Sequence, residues 1–340
     1  MLKTLRRCIP FFSLILSGCL QPVATVGAGD RPDWLSGEPS SYPNSQYLYA
    51  TGSASKADQA QDRALGNLVK IFELHLKETS TTTQDVQSHR SGDKEDVTTS
   101  ARIASRVNIS TDKMIQGARI AEQWQSPGDL TYYALAVLER GQAGNNIRSE
   151  IKKIDDETEV KLQQAQSRQE PLQQVGDLQD ALDLQSRRDS MQKTLKIIDL
   201  QGKGIPPRWN RAELDEKLDS ALRAMRMSAD VTRDDVGELG QMLQAAMAAA
   251  GFSNQSAGGY ILSAALVSGD VLQRQGWYWL RGTLTLRLTA ADGTVLGNRS
   301  WPLKVSALQQ QQLNSRMRVE VDKKLKQELK ASVLGFANGG

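Results

Sequence analysis

The sequence predicts an α+β protein of two small domains, each an antiparallel sheet with helices, joined by a helical segment. Three observations support this fold class. The chain has 340 residues, which is long enough for two domains and a connector. Short runs with a period of two alternate with longer runs of helical period near both ends of the chain. One central stretch is helical in character throughout.

Residues 1–18 have the pattern of a lipoprotein signal peptide. Three basic residues are followed by a short apolar run from Ile9 to Leu16. That run is too short to span a bilayer core of about 30 Å. Leu-Ser-Gly-Cys, ending at Cys19, then fits the lipobox of bacterial lipoproteins. We therefore expect cleavage before Cys19 and acylation of its thiol, with palmitate among the attached chains; the alternative is an ordinary secretory signal with a chance cysteine.

Residues 19–32 are expected to be a flexible tether, because they contain glycine and proline and little that could be buried. One acyl chain binds a membrane weakly, whereas several hold a protein firmly. Leu20, rather than aspartate, follows the cysteine, so the commonest signal for retention in the inner membrane is missing. We expect the protein to be anchored in the outer membrane and to face the periplasm.

The composition of the mature chain excludes several classes of function. The chain has two cysteines; Cys8 leaves with the signal peptide and Cys19 is acylated, so no thiol remains for a disulfide, a metal or a nucleophile. The 42 basic residues lose three with the signal peptide and then equal the 39 acidic residues. A neutral body offers no electrostatic reason to bind nucleic acid.

Residues 33–144 predict the first α+β domain. A strand from Tyr47 to Gly52 precedes a helix with apolar residues at helical spacing up to Phe72. The polar segment from His75 to His89 is expected to be an extended strand or a loop. The remaining predictions are a turn at residues 91–95, a strand at residues 101–110, and a hairpin of residues 118–125 and 130–138.

Residues 145–200 predict a helical connector that is broken or kinked at Pro171. Two interpretations remain open for it: a helical hairpin that packs on its own domain, or a coiled-coil arm used in assembly. The acidic run from Asp155 to Glu157 is expected on a solvated helix face. Gly and Pro residues at 202–207 indicate a boundary after this segment.

Residues 205–336 predict the second α+β domain, a meander of three or four strands covered by helices. Asn210 is expected to cap its first helix, and residues 220–231 could prolong that helix or form a strand. A second helix is predicted at about 233–250, with Asp234 and Asp235 in its first turn and Gly251 at its end. The other predicted elements are strands at 260–267, 277–289 and 294–304 and a closing helix at 308–334.

The first domain carries the features of a known family. They are Pro32-Asp-Trp soon after the lipid site, the strand ending at Gly52, the Ala-rich helix 56–72, and a hairpin with Trp124 and the run 132–138. On these features, residues 33–140 resemble the LPP-twenty family of bacterial outer-membrane lipoproteins. The resemblance implies an envelope lipoprotein with no catalytic residues to transfer, and related domains occur in flagellar ring proteins of the outer membrane.

The sequence offers little for catalysis. His75 and His89 have no spacing that would make a metal site with nearby acids, and a surface position is the better interpretation of both. Neither a nucleophile elbow nor a phosphate-binding glycine loop is present. We therefore expect no enzyme activity, no cofactor and no metal.

Two tryptophans of the long strand 277–289 are the candidate contact residues. Trp277 and Trp279 are two apart and point to the same face of the sheet, which Arg281 continues. Leucines occupy the opposite face and are expected to take the core. The tryptophan face then points to solvent, is covered by the closing helix, or contacts a partner, either a protein or an envelope glycan such as peptidoglycan.

The leading functional hypothesis is a lipid-anchored, non-enzymatic scaffold or assembly factor that binds envelope proteins, for example in flagellar or other outer-membrane machinery. The alternative is a module that binds peptidoglycan or another glycan through Trp277, Trp279 and Arg281. The identity of the partner does not follow from the sequence.

Overall fold

A computed structural model of the chain describes residues 30–87, 117–255 and 259–337. These residues form two compact units. The first contains the described residues up to Leu74 together with 117–140, and the second contains 75–87 and 141–337. Helices and sheets are both abundant, so the predicted α+β class is confirmed. No helix in the described part of the chain combines the length and the apolar character that a membrane span needs.

The first unit is a three-stranded antiparallel sheet with one helix. Its strands pair in the order β1-β3-β2, so that β3 is central and β1 is at an edge. Alternate residues of β3 are buried on opposite faces: Ala134 and Ala136 on one, Leu135 and Val137 on the other. Leu135 and Val137 pack with the buried Trp34. The elements are β1 Tyr47–Ala54, α1 Ala57–Gln87, β2 Ala118–Gln125 and β3 Tyr132–Glu139.

Small residues allow α1 to approach this sheet closely. Gly52 of β1 lies opposite Ala134 of β3, and both face α1. A Cβ atom on Gly52 would overlap backbone atoms of Ala60 and Ala64, which are buried on the apolar face of the helix. The Ala-rich helix and the glycine of β1 are therefore complementary parts of one contact.

The structure corrects one prediction for the first domain and leaves others untested. The segment from His75, expected to be extended, continues α1 as helix to Gln87. The physical reason is that no proline or glycine interrupts this segment, so the helix can propagate from its packed first half. His89, the predicted turn at 91–95 and the predicted strand at 101–110 lie outside the described residues. The predicted hairpin is confirmed.

The second unit contains five helices and a six-stranded sheet in the described part of the chain. Asn210 caps the helix Arg211–Ala224 as predicted, since its side chain accepts a hydrogen bond from the Ala212 nitrogen. Residues 220–231 divide between that helix and the next strand. The elements are α2 Arg140–Ser167, α3 Pro171–Ile198, α4 Arg211–Ala224, β4 Arg226–Asp234, α5 Leu239–Ala249, β5 Ser253–Asn254, β6 Tyr260–Ser268, β7 Leu272–Arg274, β8 Trp277–Thr289, β9 Val295–Ala307 and α6 Gln312–Ala337.

The segment expected as a helical connector is the helix pair α2 and α3, and Pro171 is the first residue of α3. Leucines and valine at the start of α3 belong to the same apolar core as the C-terminal sheet, so the pair packs within the second unit, as the hairpin interpretation predicts. The Tyr260 hydroxyl of β6 accepts a hydrogen bond from the Leu172 nitrogen at 3.2 Å. The domain bounds given above stay predictions.

One buried ion pair contradicts the expectation that residues 155–157 face solvent. Asp155 is 4 % exposed and accepts a hydrogen bond from the Arg188 Nε at 2.8 Å. Arg188 Nη2 also donates to the Pro206 oxygen at 2.9 Å, so α2 and α3 are tied to the loop before α4. That loop, predicted as a boundary, is thereby part of the packed second unit. Asp156 and Glu157 are exposed as expected.

The second sheet is mixed, whereas the sequence predicted an antiparallel meander of three or four strands. Its strand order is β5-β4-β6-β8-β7, with β9 paired to the other edge of β8. β4 runs parallel to β6, because α5 connects the two strands as a crossover. β5 also runs parallel to β4, whereas the pairs β6–β8, β7–β8 and β8–β9 are antiparallel.

The prediction that Asp234 and Asp235 lie in the first turn of a helix is wrong. Asp234 ends β4, and its carboxylate accepts hydrogen bonds from the nitrogens of Gly237 and Leu239, the latter being the first residue of α5. Asp235 binds Arg233 and the Ser268 nitrogen. These hydrogen bonds, with that from Arg233 the strongest, hold the pKa of Asp235 below its ordinary value. Asp234 therefore binds a turn nitrogen and the first nitrogen of α5 from outside the helix, and Asp235 binds a side chain and a strand nitrogen.

Candidate functional site

The candidate site is one face of the second sheet, which we call the open face. Strand β8 is buried at Leu280, Leu284, Leu286 and Leu288, and α6 contributes Met317 and other residues to the same core. The alternating residues Arg281, Thr283, Thr285 and Arg287 point to the opposite side and are exposed or half-buried. The leucine face therefore packs against the helices, and no described element of the second unit covers the tryptophan face.

Trp277 and Trp279 lie on the open face with an apolar neighbour. The Trp277 side chain is 40 % exposed, and Leu272, which lies opposite Trp279 on β7, is 55 % exposed. The Lys304 Nζ lies 4.3 Å from the ring centroid of Trp279, in cation–π contact with the ring. We call Leu272, Trp277 and Trp279 the aromatic patch. Exposed patches of this kind on a sheet mark contact sites more often than isolated apolar residues do.

A tight turn between β7 and β8 brings Leu272 next to the two tryptophans. Strands β7 and β8 form a hairpin whose two central residues, Gln275 and Gly276, have φ values of 54° and 78°. Two successive residues with positive φ are the signature of a type I′ turn, whose twist matches that of the flanking strands. This hairpin is absent from the elements predicted from the sequence, although Gln-Gly before a β-favouring run indicates such a turn.

Three basic side chains lie beside the aromatic patch, and a fourth lies further along β8. Arg281 lies directly opposite Lys304 of β9, and Arg274 lies opposite Trp277. Arg287 lies further along the same face of β8. Asp230 of β4 pairs with Ser263 of β6, which in turn pairs with Arg287. Among the residues that the structure describes, no carboxylate forms an ion pair with any of these four cations.

The Arg281–Lys304 pair has an energetic consequence. Like charges directly opposite each other on neighbouring strands destabilise a sheet. Lys304 gains a cation–π contact with Trp279, but no described carboxylate offsets its repulsion from Arg281. An anionic group bound between them would remove the repulsion, so the open face is chemically suited to acidic ligands.

The structure brings together the three predicted contact residues, Trp277, Trp279 and Arg281. The alternative that the closing helix covers them is wrong, because α6 packs on the leucine face. Sequence reasoning missed Leu272 and Lys304, which join the site through strand pairing. A pattern along one strand cannot show which residue of another strand lies opposite. No group of three or more His, Cys, Asp or Glu residues within the described ranges is arranged to hold a metal ion.

The first unit has a recognisable counterpart among known proteins. Its helix on a three-stranded sheet, with Trp34 under β3, coincides with the segment that carried the resemblance. Residues 32–139 match the LPP20 lipoprotein family. The predicted resemblance to this family, written LPP-twenty above, is confirmed over that segment, and it supports a lipoprotein of the cell envelope. A search of curated protein sequences gives no significant match.

Three solved structures are similar to parts of the chain. The secreted protein HP1454 of Helicobacter pylori is 14 % identical, with 85 % of this chain and 98 % of that chain covered and a TM-score of 0.42. A minor lipoprotein from Acinetobacter baumannii is 17 % identical, with 32 % and 90 % covered and a TM-score of 0.25. A Caulobacter crescentus protein described as a lipoprotein is 16 % identical, with 37 % and 98 % covered and a TM-score of 0.26. At these scores none carries an argument about function.

The predicted lipidation site, Cys19, lies outside the described residues, as do the signal peptide and most of the tether. Lipidation of this residue therefore stays a prediction from the lipobox.

Proposed function

We propose that this protein is a non-enzymatic scaffold, anchored by a lipid on Cys19 to the periplasmic face of the outer membrane, that binds an acidic segment of an envelope protein on the open face. The observation that carries the proposal is the position of three cations, Arg274, Arg281 and Lys304, without a described carboxylate partner around an exposed aromatic patch. The match of residues 32–139 to a lipoprotein family supports the envelope location.

The aromatic patch and the basic side chains of the open face both suit a protein partner. Aromatic residues and arginine are enriched at the centres of protein interfaces, where an apolar core is surrounded by polar groups. Complementary charge then speeds association and selects the partner. An acidic segment would pair with Arg281 and Lys304 and so replace the repulsion between them by attraction. We propose no catalysis for this face.

A photo-crosslinking amino acid at Thr283, an exposed open-face position, is expected to give a discrete adduct with an envelope protein in living cells. The charge reversals Arg281→Glu and Lys304→Glu together are expected to lower the adduct yield at least about tenfold, since both attractive contacts become repulsive. Immunoblotting and mass spectrometry of the adduct measure the yield and identify the partner.

The matched controls separate this surface from the rest of the unit. The crosslinker at Lys323, exposed on α6, is expected to give no such adduct. The double reversal of Lys217 and Lys323, both exposed, changes the net charge equally and is expected to leave the Thr283 adduct intact. A Thr283 adduct that survives the reversal of Arg281 and Lys304, or no discrete adduct at this face, would contradict the proposal.

Glycan binding is the second candidate, and the exposed Trp277 ring favours it, since sugars stack on such rings. Lys304 already occupies a face of the Trp279 ring, which leaves less aromatic surface for stacking. Protein binding is therefore our first choice. Sedimentation with isolated peptidoglycan sacculi distinguishes the two, because only the glycan alternative predicts that the protein is carried down with them.

Substitution of Cys19 by alanine is expected to abolish lipid attachment, because no other residue in the lipobox has a thiol. Metabolic labelling with radioactive palmitate should label the wild-type chain and leave Cys19→Ala unlabelled. In cell fractionation, the variant should appear in the soluble periplasm, whereas the wild-type chain should appear in the outer-membrane fraction. Cys8→Ala, which alters only the expected signal peptide, is the control, and palmitate in Cys19→Ala would disprove this site.

A further inference from the structure

The first unit contains a polar cavity between its helix and its sheet edge. It has a volume of about 500 Å³ and lies where α1 runs along the edge of β1. Leu35, Tyr133 and the β1 residues around Gly52 form part of its lining. Three polar side chains of α1 form the rest: Arg63, Asn67 and Lys70. Its volume is within the range of small-molecule sites in proteins.

The three α1 residues share one face of the helix and are held in place. They are spaced by four and by three, which puts their side chains in a row. Arg63 Nη1 donates to the Ser53 oxygen at 2.6 Å, and Asn67 Nδ2 donates to the Thr51 oxygen at 2.9 Å. Lys70 Nζ donates to the Asn67 Oδ1 at 3.2 Å. These bonds cover edge carbonyls of β1 and fix two cations on the cavity wall.

No described carboxylate compensates the charge of the cavity. Its lining includes two basic side chains and, among the residues described, no carboxylate. Neither Arg63 nor Lys70 forms an ion pair with a described acidic side chain. Arg63 and Lys70 are exposed, and a concave wall lined by charge of one sign focuses the potential over it. The cavity therefore favours an anion with roughly two negative charges.

We infer that this cavity binds a phosphate group, carried either by a phospholipid headgroup or by a soluble phosphate ester. A guanidinium presents a planar set of N–H donors that matches phosphate oxygens, and an ammonium adds a compact point charge. The Asn67 amide can serve further oxygens, and Leu35 and Tyr133 can contact the carbon body of the ligand. Leu35 also follows soon after Cys19 in the chain, so a membrane headgroup would be within reach of a lipid-anchored unit.

Titration calorimetry of the full-length lipoprotein in a non-ionic detergent tests this inference. The probes are inorganic phosphate, glycerol 3-phosphate and a short-chain phosphatidylglycerol, with chloride at equal ionic strength as the blank. Binding of a phosphate probe above the chloride blank is the expected result. Preference for the short-chain lipid would identify the headgroup as the source, and preference for glycerol 3-phosphate would identify a soluble ester.

Two variants make the test specific. Arg63→Gln with Lys70→Gln is expected to weaken phosphate binding at least about tenfold, whereas Lys56→Gln, at an exposed position outside the cavity, should leave it unchanged. Lys70→Gln alone keeps the bond from Arg63 to β1, so it should fold normally and still bind several-fold more weakly. Equal heats for phosphate and chloride, or full binding by the double variant, would overturn the inference.

Discussion

Replacement of Arg188 by alanine is expected to lower the free energy of unfolding of the second unit by about 3–5 kcal/mol. The guanidinium is 1 % exposed and its partner Asp155 is 4 % exposed, so neither group can be solvated when the other is removed. The variant leaves a buried carboxylate without its countercharge. It also removes the donor that holds the loop carbonyls of Ile205 and Pro206.

The ion pair belongs to a wider polar contact between α2 and α3. One turn along the hairpin, the Gln185 Nε2 donates to the Thr158 Oγ1 at 2.9 Å, and both residues are buried. Fully satisfied buried polar groups of this kind fix one register of a helix pair, whereas an apolar seam tolerates sliding. We therefore expect Arg188→Ala to loosen the hairpin as well as to destabilise it.

Urea denaturation followed by far-ultraviolet circular dichroism measures this loss. The control is Arg187→Ala, which removes the neighbouring exposed arginine and should change stability by less than about 0.5 kcal/mol. The double variant Arg188→Met with Asp155→Leu should recover much of the loss, because it removes both charges together. A loss below about 1 kcal/mol in Arg188→Ala would mean that water or a rearranged loop compensates Asp155.

Replacement of Gly52 by alanine is expected to destabilise the first unit by about 3 kcal/mol, the upper part of the range for overpacked cores. The new methyl group would overlap backbone atoms of Ala60 and Ala64, which cannot rotate away as a side chain could. Helix α1 would have to move off the sheet and open the contact around Ala134. Hydrogen exchange of peptides from β1 and β3, followed by mass spectrometry, should show faster exchange in this unit and unchanged exchange in the second.

Gly66 provides the matched control on the same helix. A Cβ atom there meets no atom within 4 Å, and alanine favours a helix over glycine by about 0.5–1 kcal/mol. Gly66→Ala should therefore slow exchange slightly where Gly52→Ala accelerates it. Equal exchange in wild type and Gly52→Ala would show that the helix and sheet are not in close contact at this point.

Most elements of the fold could be predicted because their signals are local. The strand at Tyr47, the break at Pro171 and the cap at Asn210 depend on residues a few positions apart, and the structure has all three. The prediction that Asp234 lies in the first turn of a helix was wrong, because Asp234 ends a strand. Acidic residues suit the first turn of a helix, yet the same carboxylates can bind the nitrogens of a turn, and local sequence does not distinguish the two uses.

The candidate site could be predicted only in part. Alternation along β8 identified the tryptophan face, because side chains of a strand point to opposite sides in turn. It did not show whether a helix covers that face, since the position of α6 depends on where its own apolar side finds a core. Lys304 and Leu272 come from other strands, and their register is set by the β7–β8 turn and by the β8–β9 pairing.

By itself, the sequence determined the lipobox at Cys19, the α+β class, the family likeness of the first domain and the identity of the core face of β8. These follow from short motifs and from periodicity. Only the tertiary structure decided that Asp155 is buried against Arg188, that no described helix of the second unit covers the tryptophan face, and that Arg281 lies opposite Lys304. Such contacts join residues far apart in the chain, and their energies depend on burial and pairing, which no local pattern records.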